Sequence, residues 1–167
     1  TADEIIETTI SLKNSKGVGP DGFSVPAIKQ VINSISTPLS VIFNKSILNG
    51  IFPQQFKIAK VIPVFKADDR TLISNYRPIS ILPVFSKVLE KIMYARLHKF
   101  IDQQKILCFN QYEFTEKHST YMALLNIIDY ITQQLDSKAF TIGIFIDLSK
   151  AFDTVNHKVL VNKLHFY

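Results

Sequence analysis

Cysteine and tryptophan are nearly or wholly missing from this sequence, which has one cysteine, Cys108, and no tryptophan. A single cysteine excludes an internal disulfide and a cysteine-rich zinc site. We expect Cys108 to be a small, buried apolar residue. The four histidines form no close pair such as His-x-x-x-His, so a structural metal has little support. No apolar run reaches the roughly 18 residues of a membrane span, and no signal segment opens the chain. We therefore expect an intracellular protein, in the nucleus or the cytoplasm and away from membranes.

The length and composition fit a globular domain with a true core, since 47% of the 167 residues are hydrophobic. The chain starts at Thr1 rather than Met and ends at Tyr167, just after a motif has opened. We therefore expect it to be a piece of a longer protein.

Positive charge is concentrated in the middle third of the chain. The net charge is +5, yet residues 57–105 alone hold ten Lys and Arg against four Asp and Glu, a net charge of +6. Such a stretch is expected along a phosphate backbone or a triphosphate. A solvated helix face would produce the same pattern, so both interpretations stay open.

Local patterns predict most of the elements. Helices are expected over 2–12, over 24–34 behind a Ser24 cap, over 37–49 behind a Thr37–Pro38 cap, over 82–103, over 119–135 with a core-facing side, and after Asn156. Strands are expected over 58–66 and 76–82, forming a long hairpin at a sheet edge because of Pro63. Asp68 and Asp69 are interpreted as solvated charges of its loop, and the glycine-rich stretch 13–22 as a turn.

The run from Phe140 to Ile146 is apolar, β-branched and aromatic, which predicts a strand buried on both faces. Asp147 follows it directly, at the strand end where mixed proteins tend to place ligands and chemistry. A metal-binding carboxylate would lie there. The alternative interpretation of Asp147 is the N-cap of a short helix that opens at Leu148.

The string FIDLSKAFDTVNH, which contains Asp147, resembles the first catalytic motif of reverse transcriptases of non-LTR, LINE-like or jockey-type mobile elements. Four further blocks resemble that family in the family's order: SKGVGPDGFSVPAIK, GIFPQQFKIAKVIPVFK, SNYRPISILPVFSKVLEKI and the more altered NQYEFTEKHST. The five blocks together cover most of the chain.

The resemblance implies an α+β fold, namely the fingers and the beginning of the palm of a right-hand reverse transcriptase. The chain would be truncated before the second catalytic motif and the thumb. Residues 1–118 would form a fingers-like region of helices with the hairpin near 58–82, and residues 119–167 would start the palm.

The implied activity is RNA-directed DNA polymerisation by two-metal nucleotidyl transfer. Asp147 would be a catalytic metal ligand and the backbone carbonyl of Leu148 the adjacent one. The ion would be Mg²⁺, with Mn²⁺ as an alternative. The implied partners are an RNA template, a DNA primer, a dNTP and the remainder of the polymerase chain.

Three further residues match the family's nucleotide site. Lys66 and Arg77 match basic positions near the triphosphate, where the planar fork of arginine suits two phosphate oxygens. Phe152 matches the aromatic under the sugar, which would exclude a ribose 2′-hydroxyl. The alternative interpretations are that Lys66 is an ordinary surface lysine, that Arg77 pairs with a nearby carboxylate, and that Phe152 is a core residue.

Two departures from the family predict a partial and inactive copy. The only adjacent aspartates are Asp68 and Asp69, so the family's later Tyr/Phe-x-Asp-Asp motif is missing from this sequence. Where relatives read Gln-x-Gly-Phe-Arg, this chain has Glu113 for the glycine, which risks a strained backbone, and Thr115 for the arginine. The competing hypotheses are a non-catalytic basic nucleic-acid-binding module and an inert remnant.

Overall fold

The computed structural model describes residues 1–15, 17–148 and 151–167. In chain order the α-helices and strands are α1 (Ala2–Ile10), α2 (Val25–Asn49), α3 (Gln54–Lys57), β1 (Lys60–Phe65), β2 (Tyr76–Ile81), α4 (Val84–Gln103), α5 (Thr120–Asp136) and α6 (His157–Phe166), with one short 3-10 turn, Ile73–Asn75, between the two strands. The chain divides into two compact units, Thr1–His98 and Lys99–Tyr167. The expected mixture of helix and strand is confirmed, while the boundary between fingers and palm stays a prediction.

The core of the first unit is built by α1, α2 and the first half of α4. These helices bury one continuous apolar cluster, consisting of Ile5, Val25, Ile28, Ile32, Leu39, Phe43, Val84, Val88, Leu89 and Ile92. The hydroxyl of Thr9 is fully buried among them and donates to the carbonyl of Ile5 at 2.7 Å. The buried polar group is therefore satisfied inside its own helix.

Helix α2 runs unbroken through Pro38, so the prediction of two helices was wrong. Its predicted ends are confirmed: Ser24 accepts the N-terminal hydrogen bond from Ala27, and Gly50 ends the helix at φ 64°. Buried positions recur every three to four residues on both sides of the proline, at Ile28, Ile32, Ser36, Leu39 and Phe43. Packing of this stripe of buried residues offsets the hydrogen bond that Pro38 cannot donate. Local sequence signals do not reveal this packing, so they predicted a helix boundary at the proline.

The glycine-rich stretch does more than connect two helices. A Cβ atom on Gly19 would lie 3.1 Å from both the carbonyl oxygen of Leu82 and the Cα of Pro83. The loop therefore passes against the backbone that opens α4. Gly22 has φ 78°, a conformation that L side chains rarely adopt. The turn prediction is confirmed, and a packing role is added to it.

The predicted hairpin is confirmed as an antiparallel pair in which Lys60 faces Ile81 and Phe65 faces Tyr76. Pro63 faces Pro78. Neither proline has an amide donor, which costs this sheet no bond because the pair lies at a non-hydrogen-bonded position, where the backbone nitrogens point away from the partner strand. Both strands are largely exposed.

The helices of the second unit form where they were predicted, but they do not bury a core. The side chain of Ser119 caps α5, and that of Asn156 caps α6. No residue described in α5 is buried, so the core-facing role expected of this helix was wrong. Cys108 is exposed as well, contrary to expectation. A core needs a second apolar layer, and the described residues of this unit do not supply one.

The buried strand predicted over 140–146 was also wrong. Residues 140–148 have no regular secondary structure and are exposed, with Phe140, Ile142 and Phe145 at 101%, 87% and 90% of their full accessibility. A strand needs hydrogen bonds from a neighbour, and within the described residues the only strand pair is that of β1 and β2. The apolar pattern is that of a strand without its partner.

Within the described residues, no helix has both the length and the apolar character needed to cross a lipid bilayer.

Candidate nucleotide and metal site

Lys66 and Arg77 lie on one face of the hairpin. Side chains alternate between the two faces of a strand, and directly paired residues share a face. The register pairs Val64 with Arg77, and the amide of Lys66 continues the ladder by donating to the carbonyl of Asn75 at 2.8 Å. Lys66 is therefore the diagonal neighbour of Arg77. Both side chains are exposed, as a triphosphate contact requires.

The loop that joins the strands is ordered by Asp69. Its carboxylate accepts hydrogen bonds from both the amide and the hydroxyl of Thr71 at 2.8 Å, and its carbonyl accepts one from the Asn75 side chain at 2.8 Å. The bonds from Thr71, with the backbone one leading, lower the pKa of this exposed carboxyl. Asp68 turns the chain with φ 70°. Both aspartates are exposed loop residues, as the sequence indicated.

The opposite face of the hairpin carries a cluster that sequence reasoning missed. The rings of Phe65 and Tyr76 meet edge to face with centroids 5.5 Å apart. The guanidinium carbon of Arg70 lies 5.0 Å from the centroid of the Phe65 ring, and the Tyr76 hydroxyl donates to the Arg70 carbonyl at 2.9 Å. We call these three residues the hairpin clamp. An aromatic residue directly before each of Lys66 and Arg77 was the signal that could have revealed it.

Besides Arg70, two further basic residues of the positive middle third are engaged in structural contacts. Arg96 holds the carboxylate of Glu4, and the ammonium of Lys91 donates to the hydroxyl of Ser11 at 2.9 Å. Both contacts tie α4 to α1 and its end. The charges that remain exposed on the hairpin face are Lys60, Lys66 and Arg77.

Asp147 and Leu148 belong to the second unit, in the exposed stretch that follows α5. Asp147 is exposed, and Leu148 is 70% exposed. The alternative role of Asp147 as a helix cap depends on residues 149 and 150, which lie outside the described residues. Residues 151–154 form a turn.

Phe152 packs in that turn against Phe114, with ring centroids 5.9 Å apart and nearly perpendicular planes. Each ring is 78% exposed. Phe114 has φ 60° and Lys117 has φ 63°, so the altered block contains two residues in the left-handed region. The backbone strain that was expected at Glu113 is thus found at the next residue, Phe114.

An open groove of about 840 Å³ separates α5 from residues 141–145. Ile127, Tyr130 and Ile131 line one side, while Ile142 and Phe145 line the other. The apolar residues of the unformed strand therefore face the apolar side of α5 across open space.

The donors near Asp147 fit a metal site only in part. A carboxylate and a backbone carbonyl are the oxygen ligands that Mg²⁺ prefers, and such sites take further ligands from water and substrate phosphates. Within the described ranges, no group of three or more His, Cys, Asp or Glu side chains could hold a metal ion. Lys66 and Arg77 belong to the first unit and Asp147, Leu148 and Phe152 to the second.

Comparison with known proteins gives a consistent result. The family model described as reverse transcriptase (RNA-dependent DNA polymerase) matches residues 64–167. The chain is 31% identical over 163 residues to the probable RNA-directed DNA polymerase from transposon BS of Drosophila melanogaster. The aligned region covers 97% of this chain and 18% of that protein. It is 29% identical over 164 residues to the RNA-directed DNA polymerase from mobile element jockey of the same organism, covering 98% and 18%.

More distant similarity extends to a retrovirus-related Pol polyprotein from type-1 retrotransposable element R2 of Popillia japonica. That protein is 24% identical over 163 residues, covering 98% of this chain and 22% of its own length. The chain thus spans about a fifth of the length of the curated relatives it matches.

Proposed function

The chain belongs to the reverse transcriptase family, and from this we propose that it is part of the RNA-directed DNA polymerase of a non-LTR mobile element. What supports the proposal is one observation: the matched residues 64–167 include both the hairpin pair Lys66–Arg77 and the stretch that carries Asp147 and Phe152. The proposed partners are an RNA template, a DNA primer, a dNTP and the rest of the polymerase chain. The proposed location is intracellular.

We assign the roles residue by residue. Asp147 and the carbonyl of Leu148 hold a divalent metal, for which Mg²⁺ is proposed with Mn²⁺ as the alternative. In a two-metal reaction this ion and a second one would, when bound, activate the primer hydroxyl and neutralise the charge that develops on the phosphates. Lys66 and Arg77 bind the triphosphate, and the ring of Phe152 excludes a 2′-hydroxyl.

We further propose that this chain by itself does not polymerise. The first motif supplies one proposed metal ligand with a carboxylate, Asp147, and the only adjacent aspartates in the sequence, Asp68 and Asp69, lie in the hairpin loop, where Asp69 binds Thr71. The chain should yield no magnesium-dependent extension of a DNA primer on an RNA template. Any such product from the pure chain would overturn this part of the proposal.

The metal role of Asp147 has a direct test. Titration with Mn²⁺ should broaden the NMR signals of the residues around Asp147, because the ion is paramagnetic. The D147N variant should lose this broadening. The D153N variant removes the same charge from the neighbouring turn and should retain it. Equal broadening in the wild-type chain and D147N would exclude Asp147 as a ligand.

A non-catalytic nucleic-acid-binding module is the second candidate, and the hairpin face favours it. Lys60, Lys66 and Arg77 share that face and are exposed, so they could follow a phosphate backbone. Binding of RNA should weaken with salt, and each lysine removed should lower the salt slope by about one. Binding that is unchanged in D147N, without any metal broadening at Asp147, would favour the binding module.

A further inference from the structure

We propose that the hairpin clamp, formed by Phe65, Arg70 and Tyr76, positions Lys66 and Arg77 for the triphosphate. The inference rests on the proposed function of those two basic residues and adds residues that would not touch the nucleotide themselves. They act from the opposite face of the hairpin.

The first step of the argument is adjacency. Lys66 directly follows Phe65, and Arg77 directly follows Tyr76. Because neighbouring side chains point to opposite faces, the ring pair and the basic pair lie back to back on the same two stretches of backbone. A contact that holds the Phe65 and Tyr76 rings together therefore also restricts the backbone positions of Lys66 and Arg77.

The second step concerns the hydrogen-bond ladder. The amide of Lys66 donates to the carbonyl of Asn75, while the amide of Asn75 donates to Leu72 in the loop, so the two residues occupy a hydrogen-bonded position of the ladder through one bond. Hydrogen-bonded and non-hydrogen-bonded pairs alternate along antiparallel strands, which makes Phe65 and Tyr76 a non-hydrogen-bonded pair. At such a pair the side chains come closer and supply the direct contact between the strands. The edge-to-face rings provide it here.

The third step is the loop. Arg70 stands five residues beyond Phe65 and six before Tyr76, and it contacts both. Its guanidinium lies over the Phe65 ring and its carbonyl accepts from the Tyr76 hydroxyl, so it folds the loop back onto the ring pair. Asp69 holds the next turn through Thr71 and Asn75. The loop and the last ladder bond thus form one connected network.

The test is binding of dTTP with Mg²⁺ to the 167-residue chain. Phe65→Leu preserves the net charge and removes both the ring contact and the cation contact, so it should weaken binding by roughly two- to tenfold. Phe65→Tyr retains the ring and should bind as the wild-type chain does. Val61→Ala, an exposed apolar position on the same face of β1, is the matched control.

A second measurement separates the clamp from the proposed function. Hydrogen exchange at the Lys66 amide reports the last ladder bond without any nucleotide. It should be faster in Phe65→Leu and Arg70→Met than in the wild-type chain, with protection recovered in Phe65→Tyr and Arg70→Lys. The thermal midpoint should be unchanged, because the buried core contains none of these residues.

The outcomes are distinct. Faster exchange in Phe65→Leu with weaker dTTP binding supports the clamp. Unchanged exchange overturns it, whatever dTTP does. If the double variant K66M/R77M binds dTTP as the wild-type chain does, the triphosphate role of those residues fails, and the positioning role fails with it even where exchange responds.

Discussion

The guanidinium of Arg96 on α4 holds the carboxylate of Glu4 on α1, with one nitrogen 2.8 Å and 3.1 Å from its two oxygens. The two residues are far apart in the chain, so the pair fastens the first helix of the unit to its last. Burial acts to raise the pKa of Glu4, but hydrogen bonds and charge from the N-terminal ammonium and Arg96 outweigh it and lower the pKa.

This lowered pKa predicts a pH dependence of stability. A carboxyl with a lower pKa in the folded state stabilises the fold at neutral pH, and the contribution is lost as the pH falls below the ordinary value of 4.5. Glu4→Gln should therefore lower the free energy of unfolding at neutral pH by less than about 1 kcal/mol, because the pair is partly exposed. Urea unfolding at neutral and acid pH measures it. Glu7→Gln on the same helix is the control, and equal effects of the two variants would contradict the prediction.

Gly19 should be intolerant of a side chain. Its Cβ would lie 3.1 Å from the Leu82 carbonyl and the Pro83 Cα, both of them backbone atoms that cannot rotate away. Gly19→Ala should cost about 1–3 kcal/mol of stability through this overlap. Gly17→Ala is the matched control, because its Cβ would meet only the flexible Ile81 side chain, at ordinary distances of 3.5 Å from Cδ1 and 3.9 Å from Cγ2. Denaturant unfolding of the two variants should differ in midpoint.

Pro38 should be a position where replacement stabilises the chain. It lies inside α2, is exposed, and removes one intrahelical hydrogen bond. Pro38→Ala should raise the free energy of unfolding by about 1–3 kcal/mol. Thermal unfolding measures the change, and a lower midpoint for this variant than for the wild-type chain would contradict the prediction.

Phe152 should control discrimination at the sugar if its proposed role is right. Phe152→Ala opens space for a 2′-hydroxyl and should reduce the preference for dUTP over UTP by roughly ten- to a hundredfold. Competitive binding of the two nucleotides with Mg²⁺ measures it. Phe140→Ala removes an exposed ring from the same unit and should leave the preference unchanged. An unchanged preference in Phe152→Ala would contradict the proposed role of Phe152 at the sugar.

The sequence by itself determined the elements that local chemistry specifies. Ser24 and Ser119 accept the N-terminal hydrogen bonds of their helices, Gly50 takes the left-handed conformation that ends α2, and the hairpin forms over the predicted runs. Caps, turns and alternation act within a few residues, so they can be recognised without knowledge of the fold. The family, too, could be identified from ordered motifs alone.

Tertiary structure decided the rest, because it depends on contacts between distant residues. Packing of the α2 stripe carries the helix through Pro38, and the run at 140–146 forms no strand because the described residues offer it no partner. Arg96 pairs with Glu4 across 92 positions of sequence. The hairpin register places Lys66 and Arg77 on one face and the clamp on the other, a division that follows from which residues pair and from the alternation of side chains across the strands.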